Sequence, residues 1–267
     1  MISGLDHIAV AVEDFGAAVE GYRLLTGREP ELDPREGADR AWFRLLNMAL
    51  EIIAVGGQGP AADRVGARLA QAGEGPWICA FRVGDLAEAT RLATRRGLDI
   101  DPIGTVTRVR VAGLSLVLTP GRPDTPPSPF IAPEAASVAA LDHMVIHTPN
   151  PDRAAAIYGG KLGLELRLDR TSDAWAGRKL YFRVGGATLE FAASLKTNAD
   201  DGPDSFGGFT WRVPDAVAAH GRLTAAGFDV SDLRPGPRPG TDVFTVRNAP
   251  AGLPTLISSA EPLPEPR

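Results

Sequence analysis

"LDHIAV" (residues 5–10) and "LDHMVI" (residues 141–146) are two copies of one short apolar strand, each with a histidine in third place. The chain contains four histidines, and His7 and His143 hold the repeated position. Self-similarity at a fixed spacing is the signature of an internally repeated fold. The duplicated strand therefore indicates that the two halves of this 267-residue chain are built alike.

The repeat extends well beyond this strand. With residue 143 placed on residue 7, "WFRLLNMALE" (42–51) falls on "YFRVGGATLE" (181–190) after a short insertion. Between the halves, "PGRPDTPPSPFIAPEAASV" (120–138) carries six prolines, which exclude a helix or a central strand. We therefore predict a first domain over 1–121, a stiff linker over 122–138, a second domain over 139–260 and a tail over 261–267.

Each half also reads as two similar units. Residues 5–11 alternate like a strand, 13–27 carry one apolar helical stripe that ends at Gly27, and strands follow at 40–46 and 49–55. A sheet of this kind has one bare face, so the units must pair to bury it. The sequence predicts an α+β fold: four βαβββ modules paired into two cupped, half-barrel mixed sheets, with helices on the outside. An extra helix over 59–73 has no counterpart in the second half.

Composition narrows the classes of function. The net charge is −5 with scattered Lys and Arg, so no basic stripe for nucleic acid is present, and no apolar run is long enough to span a membrane. The single cysteine, Cys79, excludes an internal disulfide. Because the N-terminus has no pattern of a secretory signal, we expect a cytoplasmic protein that acts on a small molecule.

At this point the residues resemble a known family. "LDHIAVAVEDFGAAVEGY" (5–22), "ALEII" (49–53) and "WICAFRVGDLAEATRLATRRGL" (77–98) resemble the vicinal oxygen chelate superfamily, and the first half is most similar to its glyoxalase-like domains. The group includes glyoxalase I, methylmalonyl-CoA epimerase, extradiol dioxygenases and the bleomycin and fosfomycin resistance proteins. The resemblance implies a divalent metal (Zn, Ni, Mn, Co or Fe) held by His and Glu on the first and last strands of two paired modules.

Four residues match the ligand positions of that family: His7, Glu51, His143 and Glu190. The equivalent positions of the other two modules are Ile78, Val117, Gly208 and Leu256, none of which can bind a metal. If consecutive modules pair, each cup holds one His and one Glu, fewer ligands than stable sites use. If modules one and three faced each other instead, within the chain or across a homodimer, the four ligands would form one complete set.

The two glutamates have a second interpretation. Residues paired across a hairpin point to one face, so Trp42 and Arg44 share the face of Glu51, and Tyr181 and Arg183 share the face of Glu190. Such an arginine either neutralises the carboxylate or receives an anionic substrate. Arg82 and Arg212 either point into the cups or pair with acids at the rim. The predicted substrate-binding residues are Trp42, Arg44, Arg82, Tyr181, Arg183 and Arg212.

Catalysis is predicted in the second half, where Glu190 and His147 would be the catalytic residues. His147 lies four residues beyond His143 and therefore on the same face, and Gly208 leaves that cup open. The alternative is that His147 is only a residue at the entry to a loop. The resemblance favours a metal-assisted lyase, isomerase or dioxygenase acting on a small oxygen-rich or anionic molecule. The alternative is a metal-free protein that binds and sequesters a small molecule, as bleomycin resistance proteins do.

Overall fold

A computed structural model describes residues 2–121, 126–197 and 199–259 of the chain. The first four residues of the predicted linker (122–125) and the predicted tail (261–267) lie outside the described residues.

The strands of the first half belong to one mixed sheet. They are β1 (Ile2–Ala11), β2 (Glu31–Leu32), β3 (Ala38–Arg44), β4 (Ala49–Val55), β5 (Gly75–Val83), β6 (Asp99–Ile103), β7 (Val106–Val111) and β8 (Leu114–Thr119). Their order in the sheet is β2-β3-β4-β1-β5-β8-β7-β6. Consecutive modules therefore share one sheet.

The second half repeats this arrangement strand for strand. Its strands are β9 (Ala140–His147), β10 (Glu165–Ser172), β11 (Gly177–Val184), β12 (Ala187–Ser194), β13 (Ser205–Val213), β14 (Arg234–Pro235), β15 (Asp242–Val246) and β16 (Thr255–Ser259). The order is β10-β11-β12-β9-β13-β16-β15-β14. The predicted α+β class, with tandem modules in two mixed sheets and helices outside, is confirmed.

Contact density divides the chain into two compact units that cut across the halves. Of the described residues, unit 1 contains 2–9, 76–121, 143–197 and 199–207, and unit 2 contains 10–75, 126–142 and 208–259.

The helices begin and end where local chemistry predicts. They are α1 (Phe15–Thr26), α2 (Pro60–Ala72), α3 (Leu86–Arg95), α4 (Pro151–Ala154), which continues as a π-helix over Ala155–Lys161, and α5 (Ala216–Ala225). The Asp14 carboxylate accepts a hydrogen bond from the amide of Ala17 and caps α1, and Gly27 ends it in the left-handed conformation (φ 70°). Within the described residues, no helix is long and apolar enough to cross a membrane.

The two faces of strands β9–β12 differ sharply in burial. Leu180, Phe182, Leu189 and Phe191 are fully buried on one face, and the ring of Tyr158 in the π-helix packs 4.3 Å from that of Phe191. The opposite face carries polar side chains, most of them half-buried or exposed: His143, His147, Thr188, Glu190, Lys179, Tyr181 and Arg183. We call this second surface the open face.

The equivalent face of the first half is closed. Trp42 is 2% exposed and Glu51 is 3% exposed, and Arg44 and Ile53 beside them are buried. Helix α2, which has no counterpart among the described residues of the second half, packs on β3 and β4. The repeat has therefore produced one closed surface and one open surface from the same strand pattern.

The linker is tied to the first half by a buried arginine. Arg28 Nε donates to the carbonyl of Val138 (2.6 Å), and its Nη1 donates to that of Ser128 (2.7 Å). The guanidinium also lies 4.2 Å from the centroid of the Phe130 ring. The backbone of Ser128 pairs with Arg44 at the end of β3, where it covers an edge of the sheet.

Arg28→Ala should lower the free energy of unfolding by about 2 kcal/mol, because it leaves two buried carbonyls without a donor. Urea denaturation measures this, and limited proteolysis should cut the 126–131 segment faster than in the wild type. Arg23→Ala on α1, where the half-buried Arg23 pairs with the exposed Glu29, is the control and should leave both measurements nearly unchanged. Equal stability of the Arg28→Ala variant and the wild type would contradict this role for the linker.

Candidate functional site

The open face brings together two predicted residues, His143 and Glu190, and one that was not predicted, Lys179. His143 Nε2 lies 3.6 Å from Glu190 Oε2, and Lys179 Nζ lies 2.7 Å from Glu190 Oε1. Strand β12 carries Glu190 between β9 and β11, so the carboxylate is held between the imidazole and the ammonium. Although partial burial alone would lower the pKa of Lys179, its hydrogen bond to Glu190 and the charge of Glu190 raise it.

Tyr181 lies directly opposite Glu190 in the β11–β12 register. Burial first, and then the charge of Glu190, raise the pKa of its phenol, which therefore stays protonated near neutral pH. Arg183 was expected to accompany Glu190, but its Nε donates to the carbonyl of Gly185 (3.4 Å) and its side chain is exposed. Lys179, which was not predicted, makes the ion pair instead.

In the first half, too, the glutamate pairs with a different basic residue from the one expected. Arg40 Nη1 lies 3.0 Å from Glu51 Oε1, whereas Arg44 binds Glu31 through Nη2 (2.7 Å) and Nε (3.0 Å). Arg44 therefore does not neutralise Glu51 by the expected pairing. Trp42 lies opposite Glu51 in the β3–β4 register and therefore on the same face, as predicted.

Arg40 and Lys179 occupy equivalent positions of the repeat, two residues before Trp42 and Tyr181. Because alternate residues of a strand share a face, each could have been found by extending the comparison two residues towards the N-terminus. In both halves the long basic side chain reaches the carboxylate diagonally across the two strands.

Arg82 and Arg212 pair with acids next to the repeated histidines. Arg82 Nε lies 3.7 Å from Asp6 Oδ2, and the other oxygen of Asp6 lies 2.8 Å from His7 Nδ1. Arg212 Nη2 lies 3.0 Å from Asp142, which Arg238 also contacts (3.2 Å). The alternative in which these arginines pair with acids therefore agrees with the geometry.

His147 lies on the open face two residues beyond the position opposite Glu190. Its imidazole is exposed and has no hydrogen-bond or ion-pair partner among the described residues. It lines a cleft of about 420 Å³, within the range of small-molecule sites. A second hollow beside α3 measures only about 70 Å³ and is too small for such a ligand.

Gly208 was expected to leave the second half open, but the structure fills this position. The amide of Phe209 donates to the carbonyl of Pro254 (2.9 Å), which brings that carbonyl against Gly208. A Cβ at 208 would lie 2.1 Å from the Pro254 oxygen. The glycine is required by close backbone packing and offers no space for a ligand.

The side chains of the open face do not fit the metal that the resemblance implied. His143 and Glu190 supply two ligands, and a protonated ammonium, which has no lone pair, occupies the second oxygen of Glu190. Among the residues that the structure describes, no group of three or more His, Cys, Asp or Glu side chains could hold a metal ion. The carboxylate is compensated by a protein cation at the place where a metal would be needed.

Positive charge accumulates at the hairpin beside this site. Arg170 lies directly opposite Lys179 in the β10–β11 register. Both cations lie near the ring of Trp175, at 5.0 Å and 5.7 Å from its centroid. Trp175 is 45% exposed, and its Nε1 is fixed by a hydrogen bond to the carbonyl of Gly177 (3.1 Å).

The fold and the duplicated His–Glu pairs define a tandem-repeat α+β protein built from four βαβββ modules. The model of the Glyoxalase/Bleomycin resistance protein/Dioxygenase superfamily matches residues 6–108 and 142–245, which together make up most of the chain. The chain belongs to this superfamily, as the resemblance of its strands implied.

Two solved structures show the same architecture. A triple mutant of 4-hydroxymandelate synthase from Streptomyces coelicolor matches with a TM-score of 0.75 and 13% identity, over 99% of this chain and 94% of that one. BphC, a halotolerant catechol dioxygenase, matches with a TM-score of 0.69 and 12% identity, over 97% and 87%. At these identities the similarity concerns the fold alone. No curated protein sequence matches the chain.

Proposed function

We propose that this chain is a metal-independent binding protein for a small anionic molecule, and that the open face of β9–β12 is its binding site. The observation that carries the proposal is that two cations, Arg170 and Lys179, lie directly opposite each other on neighbouring strands. Lys179 has Glu190 as its counter-ion, whereas Arg170 has no carboxylate partner among the described residues.

Like charges placed directly opposite each other destabilise a pair of strands. Their presence on an exposed surface of an acidic protein, with a net charge of −5, supports a role in attracting an anion. Trp175 adds an exposed aromatic surface at the same place, so a ligand with a flat apolar body and a carboxylate would satisfy both groups.

Burial of the equivalent face in the first half predicts one ligand per chain. Trp42 and Glu51, which correspond to Tyr181 and Glu190, are almost fully buried. A ligand cannot reach them without displacing packed side chains. Calorimetric titration should therefore give a stoichiometry near one.

Isothermal titration with a panel of small aromatic carboxylates tests the proposal. Arg170→Ala should weaken binding of the best of them about 10-fold, or about 1.4 kcal/mol, because one charge-assisted hydrogen bond is lost. The matched control is Arg167→Ala on the same strand, since Arg167 is exposed and already paired with Glu165. Equal affinities of the two variants, or no binding by the wild type, would contradict the proposal.

The second candidate is a metal-assisted lyase, isomerase or dioxygenase. The 3.6 Å approach of His143 to Glu190 favours it, because imidazole and carboxylate together suit a divalent cation with open positions. Elemental analysis of the purified protein separates the two candidates. Stoichiometric metal that both His143→Ala and Glu190→Ala abolish would support the enzyme, whereas metal-free protein that binds aromatic carboxylates would support the binding protein.

A further inference from the structure

We propose that the ligand lies on Ala192, between Lys179 and His147, and that it is an anion the size of a single ring with a hydrogen-bonding group opposite its anionic group. This inference rests on the proposed function and deepens it, since it names the place and the chemical class of the ligand.

The register of the strands determines where the proposed ligand would lie. Four residues form one row across four neighbouring strands of the open face: Arg170, Lys179, Ala192 and His147. Neighbouring strands are about 4.8 Å apart, so the Cα atoms of Lys179 and His147 are separated by about 10 Å. Between them, Ala192 presents only a methyl group. We refer to this row as the groove; it has two cations at one end, an imidazole at the other and a methyl group between them.

The cleft of about 420 Å³ that His147 lines begins at Ala192. Ala192 and His147 line it together with hydroxyl and carboxylate groups from the following segments: Ser194, Thr197, Asp200 and Ser205. These groups donate and accept hydrogen bonds but present no cation. The end of the groove at His147 therefore suits a neutral polar group, and the end at Arg170 and Lys179 suits an anion.

The environment of His147 supports its role as the second anchor. Its ring nitrogens have no partner among the described residues, so one can donate to a ligand and the other can accept. Position 207 on the neighbouring strand is glycine, and a Cβ there would lie 2.9 Å from His147 Nε2. The lack of a side chain at 207 therefore makes room for the imidazole beside β13.

Three probes and three variants test this inference by isothermal titration of the full chain: 4-hydroxybenzoate, 4-aminobenzoate and 4-methylbenzoate. The wild type should bind the hydroxy and amino acids at least 10-fold more tightly than the methyl acid. His147→Phe should remove that preference. Ala192→Leu should weaken all three by at least 10-fold, because its side chain fills the groove. Ala193→Leu, on the opposite face of the same strand, is the matched control and should bind like the wild type.

The outcomes distinguish the inference from the proposed function. If binding depends on Arg170 but tolerates Ala192→Leu, the place of the ligand is wrong and the binding function stands. If 4-methylbenzoate binds as tightly as the polar acids, the polar end is wrong. If no probe binds, both proposals are overturned. Should Ala192→Leu fail to fold, Ala192→Val provides the same test with a smaller side chain.

Discussion

Gly208→Ala is expected to lower the free energy of unfolding by about 3 kcal/mol, the upper part of the range for overpacking. The new methyl carbon would lie 2.1 Å from the backbone oxygen of Pro254 and 2.8 Å from its Cβ. Because the obstacle is backbone held by the amide of Phe209, no side-chain rotation can relieve it. Urea denaturation monitored by circular dichroism measures the loss.

Gly221→Ala is the matched control for this change. Gly221 lies within α5, and a Cβ there would meet nothing within 4 Å. Alanine is a better helix former than glycine, so this variant should be more stable by about 0.5–1 kcal/mol. If the two variants changed stability in the same direction, the close packing at Gly208 would be disproved.

Arg40→Leu should also lower the free energy of unfolding by about 3 kcal/mol. Glu51 is buried, and this change removes a cation that lies 3.0 Å from its carboxylate. Loss of one partner from a buried ion pair is strongly destabilising because the remaining charge is no longer compensated. Arg40→Lys keeps the charge and should lower the free energy of unfolding much less.

A double variant identifies the cause of that loss. Arg40→Leu combined with Glu51→Gln removes both charges, so its stability should recover by at least half of the single-variant loss. Arg44→Leu is a useful comparison. Because Arg44 binds the exposed Glu31, its loss should lower the free energy of unfolding by less than the loss of Arg40. A double variant as unstable as Arg40→Leu alone would mean that packing of the arginine stem, and not its charge, stabilises the first half.

The fold could be predicted almost completely from the sequence. Strand alternation, the helix that ends at Gly27 and the glycine pair between β11 and β12 are local signals, and their repetition in each half reinforces them. The π-helix at Ala155–Lys161 was missed, because its apolar spacing looks like that of an ordinary helix. The short edge strands β2 and β14 have two residues each, too few for periodicity to register.

The candidate site was predicted only in part. The hairpin argument correctly placed Trp42 on the face of Glu51 and Tyr181 on the face of Glu190, since residues paired across a hairpin share a face. It did not predict that Arg40 and Lys179 would bind the glutamates, because a diagonal contact depends on side-chain length and local twist. It also placed an open space at Gly208, where the backbone of Pro254 lies.

By itself the sequence determined the repeated architecture, the position of the histidines and glutamates on their strands, and the lack of ligand atoms at Ile78, Val117, Gly208 and Leu256. These are properties of residue type and short-range periodicity. Only the tertiary structure decided that Lys179 compensates Glu190, that Arg170 is left without a carboxylate partner among the described residues, and that one repeated face is closed while the other is open. Burial and ion pairing depend on which segments pack together, and two nearly identical strand patterns can therefore become one closed surface and one exposed surface.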